Sequence, residues 1–221
     1  AERAYRQTLQ AHKKGLLQQL FPAEGQLVPE LRFSEFVGEW SFFKGNELFK
    51  QVSNKNHEGD LPVLAVTQEH GAIPREEINY HVTVSKKSVK SYKIVEVGDF
   101  IISLRSFQGG IEYSSYYGIC SPAYVILRAS ENYEIDNIYF TSYFKSDILI
   151  RALNKNLEGL RDGKMISYRQ FSEIKIPLPT LPEQQKIANC LSSLDRLIQA
   201  QTDKIEALEA HKRGMMQQLF P

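Results

Sequence analysis

Three stretches of this sequence hold polar side chains in mixtures suited to hydrogen bonding with a nucleic acid. The first, Thr67-Gln68-Glu69-His70-Gly71-Ala72-Ile73-Pro74-Arg75, follows an apolar run and carries Gln68, His70 and Arg75, whose side chains can read base edges. It suits equally well a strand-to-strand loop held by its own hydrogen bonds. The second, 85–92, holds Lys86, Lys87 and Lys90 in an interval free of acids from Glu77 to Glu96, and could neutralise phosphates. A solvated loop has the same composition. The third, 105–117, combines Arg105 and Gln108 with Tyr113, Tyr116 and Tyr117, a mixture fit for both phosphates and bases, although tyrosines so placed are often half-buried packing residues. Each signal is weak alone.

Catalytic signatures are missing. Gly109-Gly110 lacks the surroundings of a phosphate loop, and there is no nucleophile elbow and no Asn/Asp-Pro-Pro-aromatic tetrapeptide of an adenine methyltransferase. None of His12, His57, His70, His81 and His211 has a second ligand at metal spacing, and Cys120 and Cys190 lie far apart, so no metal and no cofactor is expected. The expectation is a protein that binds and does not catalyse. No run approaches the roughly 18 apolar residues of a membrane span, which makes a soluble cytoplasmic protein the default. The net charge of +1 hides an uneven distribution: 18 Lys/Arg against 20 acids over 23–180, but four against one over 1–22. A broadly basic nucleic-acid footprint is absent, and positive charge is local.

The elements that must carry these residues are of two kinds. Between 23 and 180, short segments rich in Val, Ile, Tyr and Phe read as strands, at 40–49, 61–66, 78–84, 92–95, 98–104 and 123–127, with a loop or hairpin over 105–118. Helical spacing follows over 137–160, and a last strand over 171–178. From 181 a long helix begins, with Thr180 and Glu183 spaced as a capping box and Pro182 in its first turn. Its seam positions step by four and three through Ile187, Leu191, Leu194, Ile198, Gln201, Ile205, Leu208, Lys212, Met215 and Leu219, polar only at Gln201 and Lys212, the pattern of a coiled coil. The fold class is therefore α+β, a globular mixed domain flanked by long helices.

The end of that helix is written twice. Residues 11–22 return as 210–221, with nine of twelve positions identical and the rest Lys/Arg or Leu/Met exchanges. The spacing is far too long for a solenoid repeat. The pattern fits a long unit of variable domain plus helix, of which this sequence, opening without Met and within a helix, would hold one copy and the tail of another.

The combination of Leu64-Ala65-Val66-Thr67-Gln68-Glu69-His70-Gly71 with Ile73-Pro74-Arg75, Val97-Gly98-Asp99-Phe100, Gly118-Ile119-Cys120-Ser121-Pro122-Ala123-Tyr124, Ile176-Pro177-Leu178-Pro179 and Glu183-Gln184-Gln185-Lys186-Ile187-Ala188 resembles the specificity subunit of type I restriction-modification enzymes, over nearly the whole chain. The resemblance implies a target-recognition domain reading one half of a bipartite DNA sequence. It also implies antiparallel helices that act as a ruler and dock methyltransferase subunits, and through them the restriction subunit. On it, 1–22 is the tail of a preceding conserved helix, 23–180 the recognition domain and 181–221 the spacer helix. A seam deprived of its intramolecular partner should pair with a second copy of the chain, so an antiparallel homodimer centred on Ile198, Gln201, Ile205 and Leu208 is expected. The rival classes are a stand-alone DNA methyltransferase or nuclease and a coiled-coil scaffold that binds protein without base readout.

Overall fold

The computed structural model describes residues 1–78, 89–155 and 165–219. Almost all of the strand expected over 78–84, the end of the helix expected over 137–160, and Lys86 and Lys87 lie outside them. The elements are α1 (Glu2–Gln19), β1 (Ser41–Lys44), α2 (Gly45–Leu48), β2 (Phe49–Val52), β3 (Leu64–Thr67), β4 (Gly71–Pro74), β5 (Lys93–Val95), β6 (Phe100–Ile102), α3 (Ser106–Gly109), β7 (Glu112–Tyr113), β8 (Gly118–Cys120), β9 (Val125–Ala129), α4 (Asn137–Phe144), α5 (Asp147–Lys155), α6 (Tyr168–Ser172), β10 (Lys175–Leu178) and α7 (Leu181–Leu219).

An antiparallel sheet in the order β2-β9-β6-β7 is the centre of the domain. Its strand β6 is buried throughout, and because side chains alternate across a strand its residues enter two different cores. Phe100 and Ile102 join a large aromatic core with α4, α5 and α6, while Ile101 joins a smaller one with Leu64, Ala72, Val95, Cys120 and Ile126. The β3–β4 hairpin and the β5–β8 pair contribute to the second core. Phe49 lies at the middle of the first, its ring 5.0 to 6.2 Å from those of Phe100, Phe140, Phe144 and Phe171.

The sequence reading gave one strand over 40–49; the structure has two, separated by the helical turn α2. The chain changes partner there: β1 pairs with β10 and β2 with β9. Gly45 permits it, because a Cβ at that position would strike the Phe171 carbonyl, and its N–H donates to Ile174 O at 2.9 Å.

Helix α7 runs 39 residues, about 58 Å at 1.5 Å per residue. Its first turns are anchored in the domain. Glu183 is 1% exposed, and its carboxylate accepts Arg32 Nε at 2.7 Å, Arg32 Nη2 at 2.8 Å and Trp40 Nε1 at 3.1 Å. The spacing that suggested a capping box thus fastens the helix to the 23–40 linker, whose guanidinium outcompetes a backbone N–H for the carboxylate. Gln184, fully buried, accepts from Asp136 N and donates to the carbonyls of Glu134 and Pro179.

Further along, α1 packs antiparallel against α7 within the same chain. Lys13 pairs with Asp195, Lys204 with Glu2, and Arg3 with Glu209. Gln201 donates to the Glu2 carboxylate at 2.6 Å and its carbonyl at 3.1 Å. The expectation of a seam without an internal partner is corrected accordingly. Ile187 and Leu191 enter the domain core, Leu194 and Ile198 are half-buried, Gln201 and Ile205 are buried alongside α1, and Leu208 and Met215 are exposed. The end of α1 continues into the domain, where Phe21 packs edge-on against Tyr139 and Tyr143 at 5.5 and 5.3 Å.

Candidate nucleic-acid interface

Two loops form a cleft on the face of the domain where β3 and β4 turn back. The β3–β4 turn is closed by Thr67, whose hydroxyl donates to Gly71 O and accepts from His70 N. Gly71 has φ +70°, and a Cβ there would press on the Tyr113 carbonyl at 2.7 Å, so the hairpin lies close against β7 only because that residue is glycine. This geometry leaves Gln68, Glu69 and His70 exposed at the tip.

The opposite wall is the 103–110 segment, where the expected strand over 98–104 stops at Ile102 and the expected loop or hairpin over 105–118 contains the short helix α3. Ser103 N donates to Ser106 Oγ at 2.9 Å and Arg105 N to Ser103 Oγ at 3.2 Å, so two serines fix the backbone that presents Arg105. Gly110, at φ +83°, turns the chain against the Phe144 carbonyl. A side chain at Gly109 would overlap that of Gln68, whose amide donates to Arg105 O at 3.4 Å. The two loops therefore touch through Gln68.

Between them lies an open cleft of about 940 Å³, lined by residues 64–70, Arg75, Ile78, 103–105 and Tyr124. Four of the residues singled out from the sequence meet there: Gln68, His70, Arg75 and Arg105. Among the described residues neither arginine has a carboxylate within ion-pairing distance, whereas Arg32 and Arg128 both do. A guanidinium left unpaired on a cleft wall presents its donor fork to an incoming acceptor, a guanine edge or a phosphate. Tyr124 supplies part of the lining, and burial raises its hydroxyl above the usual phenol range, which keeps it a neutral donor.

The other candidates distribute differently. Gln108 is exposed on α3. Tyr113 is a packing residue, its ring 5.3 Å from Phe100 and set against the aromatic core. Tyr116 packs against the smaller core and its hydroxyl donates to Glu77 at 3.1 Å, while Tyr117 is exposed. Lys90 is exposed, 3.8 Å from Glu58. Leu104 and Tyr124 also line the cleft but were not singled out as site residues, since a strand-end Leu and one tyrosine among eleven carry no binding signature of their own. Among the described residues no three His, Cys, Asp or Glu are grouped to hold a metal, and no helix is long and apolar enough to cross a membrane.

Residues 37–210 match the family model described as the type I restriction modification DNA specificity domain. The chain is 28% identical over 230 residues to the putative type I restriction enzyme MjaX specificity subunit of Methanocaldococcus jannaschii, covering 97% of this chain and 51% of that protein. It is 29% identical over 206 residues to the MjaVIII specificity subunit of the same organism, covering 88% and 46%. The chain thus spans about half the length of the curated relatives it matches. Among solved structures, the HsdS subunit of Thermoanaerobacter tengcongensis superposes with a TM-score of 0.59 at 16% identity, over 92% of this chain and 47% of that one. The type I restriction-modification S subunit of M. genitalium does so with a TM-score of 0.56, also at 16% identity, over 99% and 55%. Both share the fold of an α+β domain with long helices.

Proposed function

Because this chain belongs to the family of type I restriction-modification DNA specificity domains, we propose that it reads one half of a bipartite DNA target in the cleft between the β3–β4 hairpin and the 103–110 loop. The observation that carries this reading is the convergence of Arg75 and Arg105, both without carboxylate partners among the described residues, with Gln68 and His70 in one cleft. Arginine held this way suits bidentate contact with guanine, and the adjoining amide and imidazole suit other base edges. Gln108 and Tyr117, exposed nearby in sequence, contact the DNA backbone, as do Lys86, Lys87 and Lys90. The chain itself catalyses nothing and takes no cofactor. Methylation and cleavage belong to partner subunits, the methyltransferase docking on the α1–α7 helices and the restriction subunit joining through it.

The domain occupies 23–180, with 1–22 and 181–221 as the helical parts. Pairing with a second copy is confined to the part of α7 beyond Ile205, where Leu208, Met215, Met216 and Leu219 are 48 to 65% exposed. Selection from randomised duplexes, with the chain assembled with the methyltransferase subunits of its system, tests the reading. A split motif should emerge, and Arg75→Ala and Arg105→Ala should each relax it at defined positions. Random binding by the intact complex, or an unchanged motif in both variants, would remove the cleft from the account.

A further inference from the structure

We propose that Glu112 and Lys145 form a buried tether that sets the register of the two recognition loops, and that they act as specificity-determining positioning residues. This rests on the cleft reading above. Glu112 is 1% exposed on β7, and Lys145, at the end of α4, pairs with its Oε1. The same ammonium donates to the Gln68 carbonyl at 3.2 Å, and the Gln68 side chain reaches the Arg105 carbonyl. One path of polar contacts therefore runs from the sheet, through Lys145 and Gln68, to the backbone that presents Arg105. Asn154 adds a parallel link, donating from α5 to Phe107 O at 2.8 Å.

Stability does not account for such a pair. Removing the Glu112 charge from water, with part of the hydration of Lys145, costs more than burying a hydrophobic pair of the same volume, and the pair is incompletely compensated, because Glu112 Oε2 has no hydrogen-bond partner among the described residues. Burial accordingly raises the Glu112 carboxyl above its ordinary value, against the pull of Lys145. What a hydrophobic pair could not supply is a directed donor to Gln68 O. Without it the hairpin stays bridged to the chain beyond β7 through Ala72 and Ser114, but at the tip Gln68 keeps only the amide contact to Arg105 among the described residues, and the spacing of Gln68 and His70 from Arg105 is set less closely from below. Gly109 and Gly71 leave room for the hairpin tip, but clearance alone does not fix its position.

The test compares wild type with Glu112→Leu/Lys145→Met, which keeps the volume and removes both charges. Lys145→Gln is the second variant: its side chain is 27% exposed, so its replacement perturbs packing less. Each is assembled with the methyltransferase subunits, checked for cooperative unfolding, and measured for binding to selected and random duplexes. The tether predicts a drop of about tenfold in the ratio of selected to random binding, with random binding unchanged and with the double variant as stable as wild type or more so. Lys145→Arg, which keeps charge and donors, should restore part of the ratio. Folded variants with the wild-type ratio overturn the tether and leave the cleft reading intact. A wild-type complex with no preference to lose overturns both.

Discussion

The two ends of the domain hold buried carboxylates in opposite ways. At the helical end, Glu183 is met by three donors from Arg32 and Trp40, and Gln184 beside it has both ends of its amide engaged. At the recognition end, among the described residues, Glu112 has one oxygen paired and one without a partner, and the cleft arginines Arg75 and Arg105 have no carboxylate partner. The first arrangement resists change because each group is satisfied within the chain. At the second, the capacity open to the outside lies on Arg75 and Arg105, while the Glu112 oxygen is sealed within the domain. A fully satisfied site is a joint; guanidinium donors left without a carboxylate in an open cleft stay available to an outside acceptor.

The largest effect that would sharpen this contrast is expected at the joint. Glu183→Ala leaves Arg32 without its carboxylate and the Trp40 N–H without an acceptor, and should cost about 3–5 kcal/mol in denaturant unfolding. A loss under about 1 kcal/mol would mean that the helix is held by packing alone. At the other end, Arg105→Ala should leave stability within about 0.5 kcal/mol yet remove about 1–3 kcal/mol of discrimination between selected and substituted duplexes. Equal losses on every sequence would make Arg105 a phosphate contact and erase the distinction between reading and holding.

A smaller effect follows from the pH dependence of Glu112. Since Glu112 is raised above its ordinary value, folding favours its protonated form. Its contribution to stability is whole below the ordinary carboxylate value and is lost as pH rises through the raised one. The tether to Lys145 needs the ionised form, so discrimination should move the opposite way and weaken as pH falls through that same value. Wild type measured beside Glu112→Gln should show both trends, and the variant neither. Parallel curves would assign the pH dependence to other groups. Smallest of all, Glu209→Ala breaks an exposed pair with Arg3 and should leave the unfolding midpoint where it was.

Which features could be read from the sequence follows the same division. Heptad spacing marked one face of α7, of which Ile187, Leu191, Gln201 and Ile205 are buried and Leu208 and Met215 exposed. What covers the buried ones was not legible: Ile187 and Leu191 meet the domain core, and Gln201 meets Glu2 of α1, a partner 199 residues away. The capping-box spacing at Thr180 and Glu183 was sound as a pattern, but the carboxylate met a better partner 151 residues away in Arg32. In the domain, β6 was evident from its apolar run, whereas the switch at Gly45 depends on Phe171, far off in sequence. Gln68, His70, Arg75 and Arg105 could be singled out by type. Their convergence could not, because it depends on glycines that admit a close approach and on a lysine, Lys145, that nothing local distinguishes. Tyr113 shows the converse, a residue whose type suits a surface and whose partner, Phe100, draws it inward.

The length of α7 has a mechanical consequence. The helix is clamped to the domain at Glu183 and Gln184 and stiffened by α1 as far as its pairing with Glu209. It behaves as a lever about 58 Å long with its fulcrum at the domain. A rotation of about five degrees at that fulcrum, less than the scatter in ordinary helix-packing angles, sweeps the far end by about 5 Å, roughly the spacing of one helical turn. Small rotations of the domain are thereby converted into displacements of the distal helix comparable to one helical turn.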